Sequence, residues 1–264
     1  MAAMIPKAIR RTVELLSYFQ PQAPAALWKM RLGVSPGSAL ICYKSLNAGH
    51  WNELCDFAES YVQVNDVVWD VRANMGVFTF AAAHQAGEGG RVLALEPDPW
   101  SERLLRRSIR QNIDCAIRVD TVQVAISGAV SLGIIHISER GRAASHLAIA
   151  KCAGPDVVGG IREKQLVISI SLDWLAERYV RPQVLKIDVD GAEMKDLAGG
   201  EKLILEQRPI ILTEFYERNA DAVTKFLGEL GYSLFDFNVG MEGEIPITRA
   251  VYNTLAIPEP LVTR

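Results

Sequence analysis

From residue 66 onward the chain alternates short runs of aliphatic and β-branched residues with longer stretches whose apolar positions return every three or four residues. Five runs read as core strands: "VVWDV" at 67–71, "RVLALE" at 91–96, "DTVQVAI" at 120–126, "QVLKIDV" at 183–189 and "PIILTEF" at 209–215. Their near-continuous apolar character is that of strands covered on both faces, as in a parallel sheet. The stretches between them read as crossover helices. "GVFTFAAAHQAG" follows the first run, and "DPWSERLLRRSIRQN" follows the second with Asp98 placed to cap it and Pro99 in its first turn. Towards the end, "GYSLFDF" and "VYNTLAI" flank a turn-rich loop and are expected to pair antiparallel at the sheet's edge. The pattern is that of an α/β sheet wound with helices.

The first sixty residues differ in character. Ile5, Ile9, Val13 and Leu16 share one helical face and Lys7, Arg10 and Arg11 lie elsewhere, until Pro21 and Pro24 end the pattern. A second helix is expected at "HWNELCDFAESYV". Residues 1–63 are expected to form a helical arm or lid, packed on the main domain of residues 64–264 or on a second copy as a homodimer.

Composition narrows the classes. A formal charge of −3 with 49% hydrophobic residues is ordinary for a globular chain and lacks the basic excess of a general nucleic-acid binder. Cys42, Cys55, Cys115 and Cys152 are scattered with no C-x-x-C pair, which suits reduced thiols in a cytoplasmic protein. No apolar run approaches the roughly 18 residues of a membrane span, so no stable membrane insertion is expected.

In open α/β sheets the ligand lies beyond the carboxyl ends of the strands. Here those ends are acidic: Asp70, Glu96, Asp188, Asp190 and Glu214, with Lys186 the cation among them. The first turn reads D-x-R-A-N-x-G and lacks the G-x-G-x-x-G that a pyrophosphate requires. S-adenosylmethionine, which has no phosphate and carries a sulfonium and an ammonium, suits an acid-lined turn better. Glu96 is placed to accept the ribose hydroxyls of an adenosine ligand.

The pieces "VVWDVRANMGVFTF", "LALEPDP" with Asn112, "VQVAIS", "ISLDWL", "VLKIDVDGAEMKDLAGG" and "RPIILTEF" run in order over roughly residues 64–257. In this the chain resembles the FkbM family of S-adenosylmethionine-dependent methyltransferases. The resemblance implies a Rossmann-like class I methyltransferase fold, a mostly parallel seven-stranded sheet with helices on both faces. It also implies O-methylation of a hydroxyl on a sugar or secondary metabolite. By position, Asp70, Ala73, Asn74 and Gly76 match the cofactor turn, and Glu96, followed by Pro97, matches the ribose acid. Ala125 and Ile126 fall where adenine lies, and Asp188 matches the acid at the methionine end.

Arg72 stands where the family has glycine. It has three arrangements open to it: swinging outward, pairing with Asp70 across the methionine pocket, or engaging the cofactor's carboxylate. The outward one is the expectation. The second would make a degenerate fold serving as a binding or assembly partner.

For the chemistry, Asp188 is the first candidate base, with Lys186 tuning its charge and Glu193 as a further acid. Ser145, His146 and Glu214 are candidates for the acceptor pocket, which is expected to be built by the arm and the 127–165 connection. "DVD" with Glu214 also invites Mg²⁺ or Mn²⁺, but carboxylate spacing is a non-specific signal and a metal-free site is the expectation.

Overall fold

The computed structural model describes residues 30–33, 52–138, 146–148, 160–188, 193–239 and 245–260. Val67–Val71 forms β1, buried along almost its whole length. It is flanked by two parallel neighbours, β2 (Arg91–Leu95) and β8 (Val184–Asp188). Beyond β2 lies β3 (Val119–Val122), and beyond β8 lies β9 (Ile210–Glu214), both parallel. The sheet ends with β11 (Asn253–Pro258), antiparallel between β9 and the edge strand β10 (Tyr232–Asp236). The seven-stranded order is thus β10-β11-β9-β8-β1-β2-β3, mostly parallel, as the resemblance implies.

Successive β1 residues feed opposite faces, as a strand's period of two requires. Val68 joins a core with Phe57, Phe78, Phe80 and Val92, whereas Trp69 and Val71 join one with Leu93, Leu172, Leu197 and Leu227. Helices therefore cover both sides. On the first face lie α1 (Asn52–Tyr61) and α2 (Val77–Ala86). The second is covered by α4 (Leu172–Ala176), α5 (Glu193–Ala198), α6 (Glu201–Gln207) and α7 (Ala220–Glu229). α2 is apolar nearly all round and correspondingly buried. α3 (Pro99–Gln111) begins as its sequence dictates: Asp98 accepts from Trp100 N and Pro99 occupies the first turn.

α1 lies within the segment read as an arm, and its Phe57 and Ala58 are fully buried in the first core, the Phe57 ring 5.4 Å from that of Phe78. Residues 30–33 are strapped onto α3. Asn112 accepts from Arg31 N at 2.9 Å and donates to Arg31 O at 2.8 Å, while Gly33 N donates to Ser108 Oγ at 2.7 Å. The amphipathic stretch at 5–16 lies outside the described residues.

The run 120–126 is not one strand. Val119–Val122 stays at the edge of the large sheet, while Ala125–Ile126, β4, pairs with β7 (Ile161–Ile170) in a second sheet. That sheet also contains β5 (Ser131–Ser138), antiparallel to β7, and β6 (His146–Ala148). Part of the 127–165 stretch read as a connection is therefore sheet. Its outer face carries the cross-strand pairs Leu132–Ile168 and Ile134–Leu166, all exposed, while Ile135 and Val167 are buried with Ala125.

Candidate functional site

The strand order runs outward from β1 in both directions, to β2 on one side and β8 on the other, so a crevice opens at the carboxyl ends of these parallel strands. The turn leaving β1 is tight. Arg72 N and Ala73 N both donate to Leu95 O, at 2.7 and 3.1 Å, and Gly76 N donates to Ala73 O at 2.8 Å. Three of its residues have left-handed backbones: Arg72 (φ 62°), Asn74 (φ 52°) and Gly76 (φ 92°). Such a φ costs an L-residue about 1–2 kcal/mol, which only glycine escapes.

Below the turn sits a buried charge cluster. Asp70 is fully buried, and Thr79 Oγ1 donates to its Oδ2 at 2.5 Å. Its Oδ1 has no hydrogen-bond partner among the described residues, but Lys186 Nζ lies 3.4 Å away as an ion pair. The same ammonium is 3.5 Å from Asp188 Oδ2 and donates to Arg72 O at 3.4 Å. Burial opposes the Lys186 charge, but the pull of Asp70, Asp188 and Glu214 outweighs it and holds the group above the ordinary lysine range. These carboxylates favour the charged ammonium.

Arg72 closes one side of this cluster. The expectation that its side chain swings outward is corrected: it is only 12% exposed, and Nη1 lies 3.4 Å from Asp188 O and 3.9 Å from Asp188 Oδ1. Among the described residues the carboxylate it pairs with is Asp188, while Asp70 is held by Lys186 and Thr79.

On the β2 side, Glu96 is buried with both oxygens aimed. Asn74 N donates to Oε2 at 2.7 Å and Asp98 N to Oε1 at 2.8 Å. Burial pushes its carboxyl up to about 7 despite these donors and the nearby Arg72 charge. The adjacent Asn74 Oδ1 is buried with no hydrogen-bond partner among the described residues.

On the β9 side, Glu214 faces Asp188 in register, and Tyr252 donates its hydroxyl to Glu214 Oε2 at 3.2 Å. The sheet therefore gathers Asp70, Arg72, Lys186, Asp188 and Glu214 on one rim, with Asn74 and Glu96 beside them. Gly76 caps α2, and Pro97 spaces Glu96 from Asp98.

Other expected residues lie on further elements or outside the described residues. Ala125 is buried with Ile135 and Val167, and Ile126 packs in the second core, so both side chains face apolar interiors. Glu193 is the first residue of α5 and His146 opens β6, opposite His136. Ser145 and Asp190 lie outside the described residues. Among the described residues no three His, Cys, Asp or Glu side chains are grouped to hold a metal ion.

Two contributors escaped the sequence reading. Thr79 had a visible signal, a lone hydroxyl within an apolar helical run. Tyr252 had none, since only the antiparallel insertion of β11 brings it beside Glu214. The chemical capacity is plain. An aimed carboxylate offers its remaining lone pairs to a vicinal diol, and a neighbouring rim offers three acids and two cations to a charged ligand.

A family model described as the methyltransferase FkbM domain matches residues 70–234. No curated protein matches the chain in sequence. Similar solved structures include a methyltransferase FkbM from Methylobacillus flagellatus, at 15% identity and TM-score 0.48, covering 76% of this chain. The chain spans 50% of that protein's length. Others are a SAM-dependent O-methyltransferase from Thermotoga maritima, at 12% identity and TM-score 0.44 over 79% of this chain and 66% of that one, and a precorrin-6y C5,15-methyltransferase from Geobacter metallireducens, at 15% and 0.42 over 78% and 88%.

Proposed function

Because the chain belongs to the FkbM methyltransferase family, we propose that it uses S-adenosylmethionine to methylate a hydroxyl of a sugar or small metabolite. The observation that carries the cofactor half is Glu96, whose carboxylate is held by Asn74 N and Asp98 N, with Asn74 Oδ1, which has no hydrogen-bond partner among the described residues, beside it. These polar atoms fit an adenosine ribose, and the lack of a pyrophosphate-binding glycine turn favours a ligand without phosphate. The acid-rich rim suits the cationic end of the same molecule.

When bound, S-adenosylmethionine supplies a methyl carbon already activated by its sulfonium. What remains for the protein is to position the acceptor and receive its proton. Lys186 is kept charged and serves as an electrostatic anchor, not a base. Asp188 has one oxygen facing Lys186 and the other facing Arg72, which supports reading it as a charge partner on the cofactor side rather than as a free base. Glu214, next along the rim and hydrogen-bonded by Tyr252, takes the base role first expected of Asp188. In this reading the acceptor hydroxyl gives its proton to Glu214 as its oxygen forms the new C–O bond.

The inward Arg72 supports a second reading, a degenerate fold whose methionine end is closed and which serves as a binding partner. Calorimetric titration with S-adenosylhomocysteine separates the two. Binding near equal stoichiometry supports the enzyme, and its absence in a folded protein supports the degenerate form. Methyl label appearing as a base-stable ether on a sugar or metabolite hydroxyl would establish O-methylation; label on nitrogen or carbon would refute it. Glu214→Gln and Tyr252→Phe are expected to slow transfer, the former by about 10²-fold or more.

A further inference from the structure

We infer that the outer face of the second sheet is the contact surface of a homodimer, in which a second copy of this chain lays its own β5 and β7 against it. The inference is independent of the cofactor reading and uses a surface separate from the rim.

The sequence of these strands is that of strands buried on both sides. An antiparallel strand with one solvated face alternates apolar and polar residues, whereas β7 carries Leu166, Val167 and Ile168 in succession and β5 carries Ile134 beside Ile135. One set is covered within the chain, since Ile135 and Val167 are buried with Ala125. The other set is not: Leu132 is 73% exposed, Leu166 74%, Ile168 57% and Ile134 39%. The same face of β7 continues two residues on to Ile170, which is buried with Ile126 and Leu172 in the second core. The stripe is therefore a hydrophobic core prolonged past the edge of the domain, and tight homodimer interfaces resemble a core cut in half.

Its arrangement is self-complementary. In the antiparallel register Leu132 stands opposite Ile168 and Ile134 opposite Leu166, so the two leucines and two isoleucines alternate at the corners of a square. A two-fold axis lying between two such faces, whether along the strands or across them, sets each leucine of one copy over an isoleucine of the other. A two-fold contact has to match a patch to itself, and this one matches γ-branched side chains to β-branched ones between sheets about 10 Å apart. The four side chains expose on the order of 450 Å² of apolar surface, towards the upper range for a patch on a monomeric protein. That is about half of the ~800 Å² that each partner gives to a stable dimer. The remainder falls to a rim that includes Val130, exposed just before β5, and Lys164, two residues before Leu166 on the same face. The four side chains carry no polar atom with which to orient a small ligand, and a second copy needs none.

The test is sedimentation equilibrium of the full chain at up to about 100 μM. It is repeated on Leu166→Lys, Ile134→Glu, Ile168→Glu and the milder Leu166→Thr, with each variant's fold checked by circular dichroism. The unsubstituted protein is expected at twice the mass of one chain, and Leu166→Lys should raise the dimer dissociation constant by about tenfold or more. Leu166→Thr retains a strand-favouring residue and should weaken the dimer in the same direction, which decides the matter if the lysine variant does not fold. Mixing Leu166→Lys with Ile134→Glu or with Ile168→Glu should restore a mixed dimer in one of the two cases, and the pair that does so identifies the axis. A folded chain that stays monomeric would overturn the inference, as would a dimer that the Leu166 variants leave unchanged or a loss that neither mixture restores. A monomer that instead sediments with anionic phospholipid vesicles, and does so less as Leu166→Lys, would give this face to a lipid surface and overturn it too.

Discussion

A methyl group added at Gly76 would lie 2.5 Å from Leu105 Cδ1 and 3.0 Å from the Phe80 ring, on a backbone at φ 92°. Gly76→Ala is therefore expected to cost about 1–3 kcal/mol in unfolding free energy, read by urea denaturation. Thr79→Val removes the donor to a fully buried carboxylate oxygen and should cost a similar ~1–3 kcal/mol, with Thr79→Ser recovering most of it. Glu96 makes stability depend on pH in the opposite sense to a salt-bridged carboxylate. Burial raises its folded value from the ordinary 4.5 to about 7, so the folded chain holds a proton that the unfolded chain releases. Its contribution is full below the unfolded value and is lost as pH rises through about 7. Urea midpoints should show this component falling between about pH 5 and pH 8, and Glu96→Gln should remove it. A ligand diol donating to Glu96 favours the ionised form, so S-adenosylhomocysteine should release a proton on binding below about pH 7, seen as buffer-dependent enthalpy.

At the scale of elements, legibility followed locality. α3 was readable because Asp98, Pro99 and the apolar spacing act within a few residues of one another. The break between β3 and β4 was not, because 120–126 reads as one β-rich run. Its two halves are claimed by different partners, Arg91–Leu95 and Ile161–Ile170, the latter far along the chain. Asn112 is a further case: it matched the family pattern by position, and its side chain works as a clamp between α3 and residues 30–33. Asn112→Ala is expected to cost about 1–3 kcal/mol and to speed hydrogen exchange at the Arg31 and Gly33 amides. Unchanged exchange at those amides would show that the strap is held by Met30 and Leu32 packing instead.

For the molecule as a whole, the sheet order decides the site. β1 lies between β2 and β8, so the ends of three strands bring the Glu96 carboxylate to one side of the turn and the acid–cation rim to the other. No helix among the described residues is long and apolar enough to cross a membrane. The sequence by itself determined the strand runs, the caps, the acidic strand ends and the family, since each depends on residues near one another in the chain or on an ordered set of short motifs. Only the tertiary structure decided which charge meets which. Arg72 and Asp188 are 116 positions apart, and Lys186 lies 114 from the carbonyl it binds. Whether Arg72 faced water, Asp70 or Asp188 turned on a few ångströms and on burial, and the strength of a charge pair depends on both.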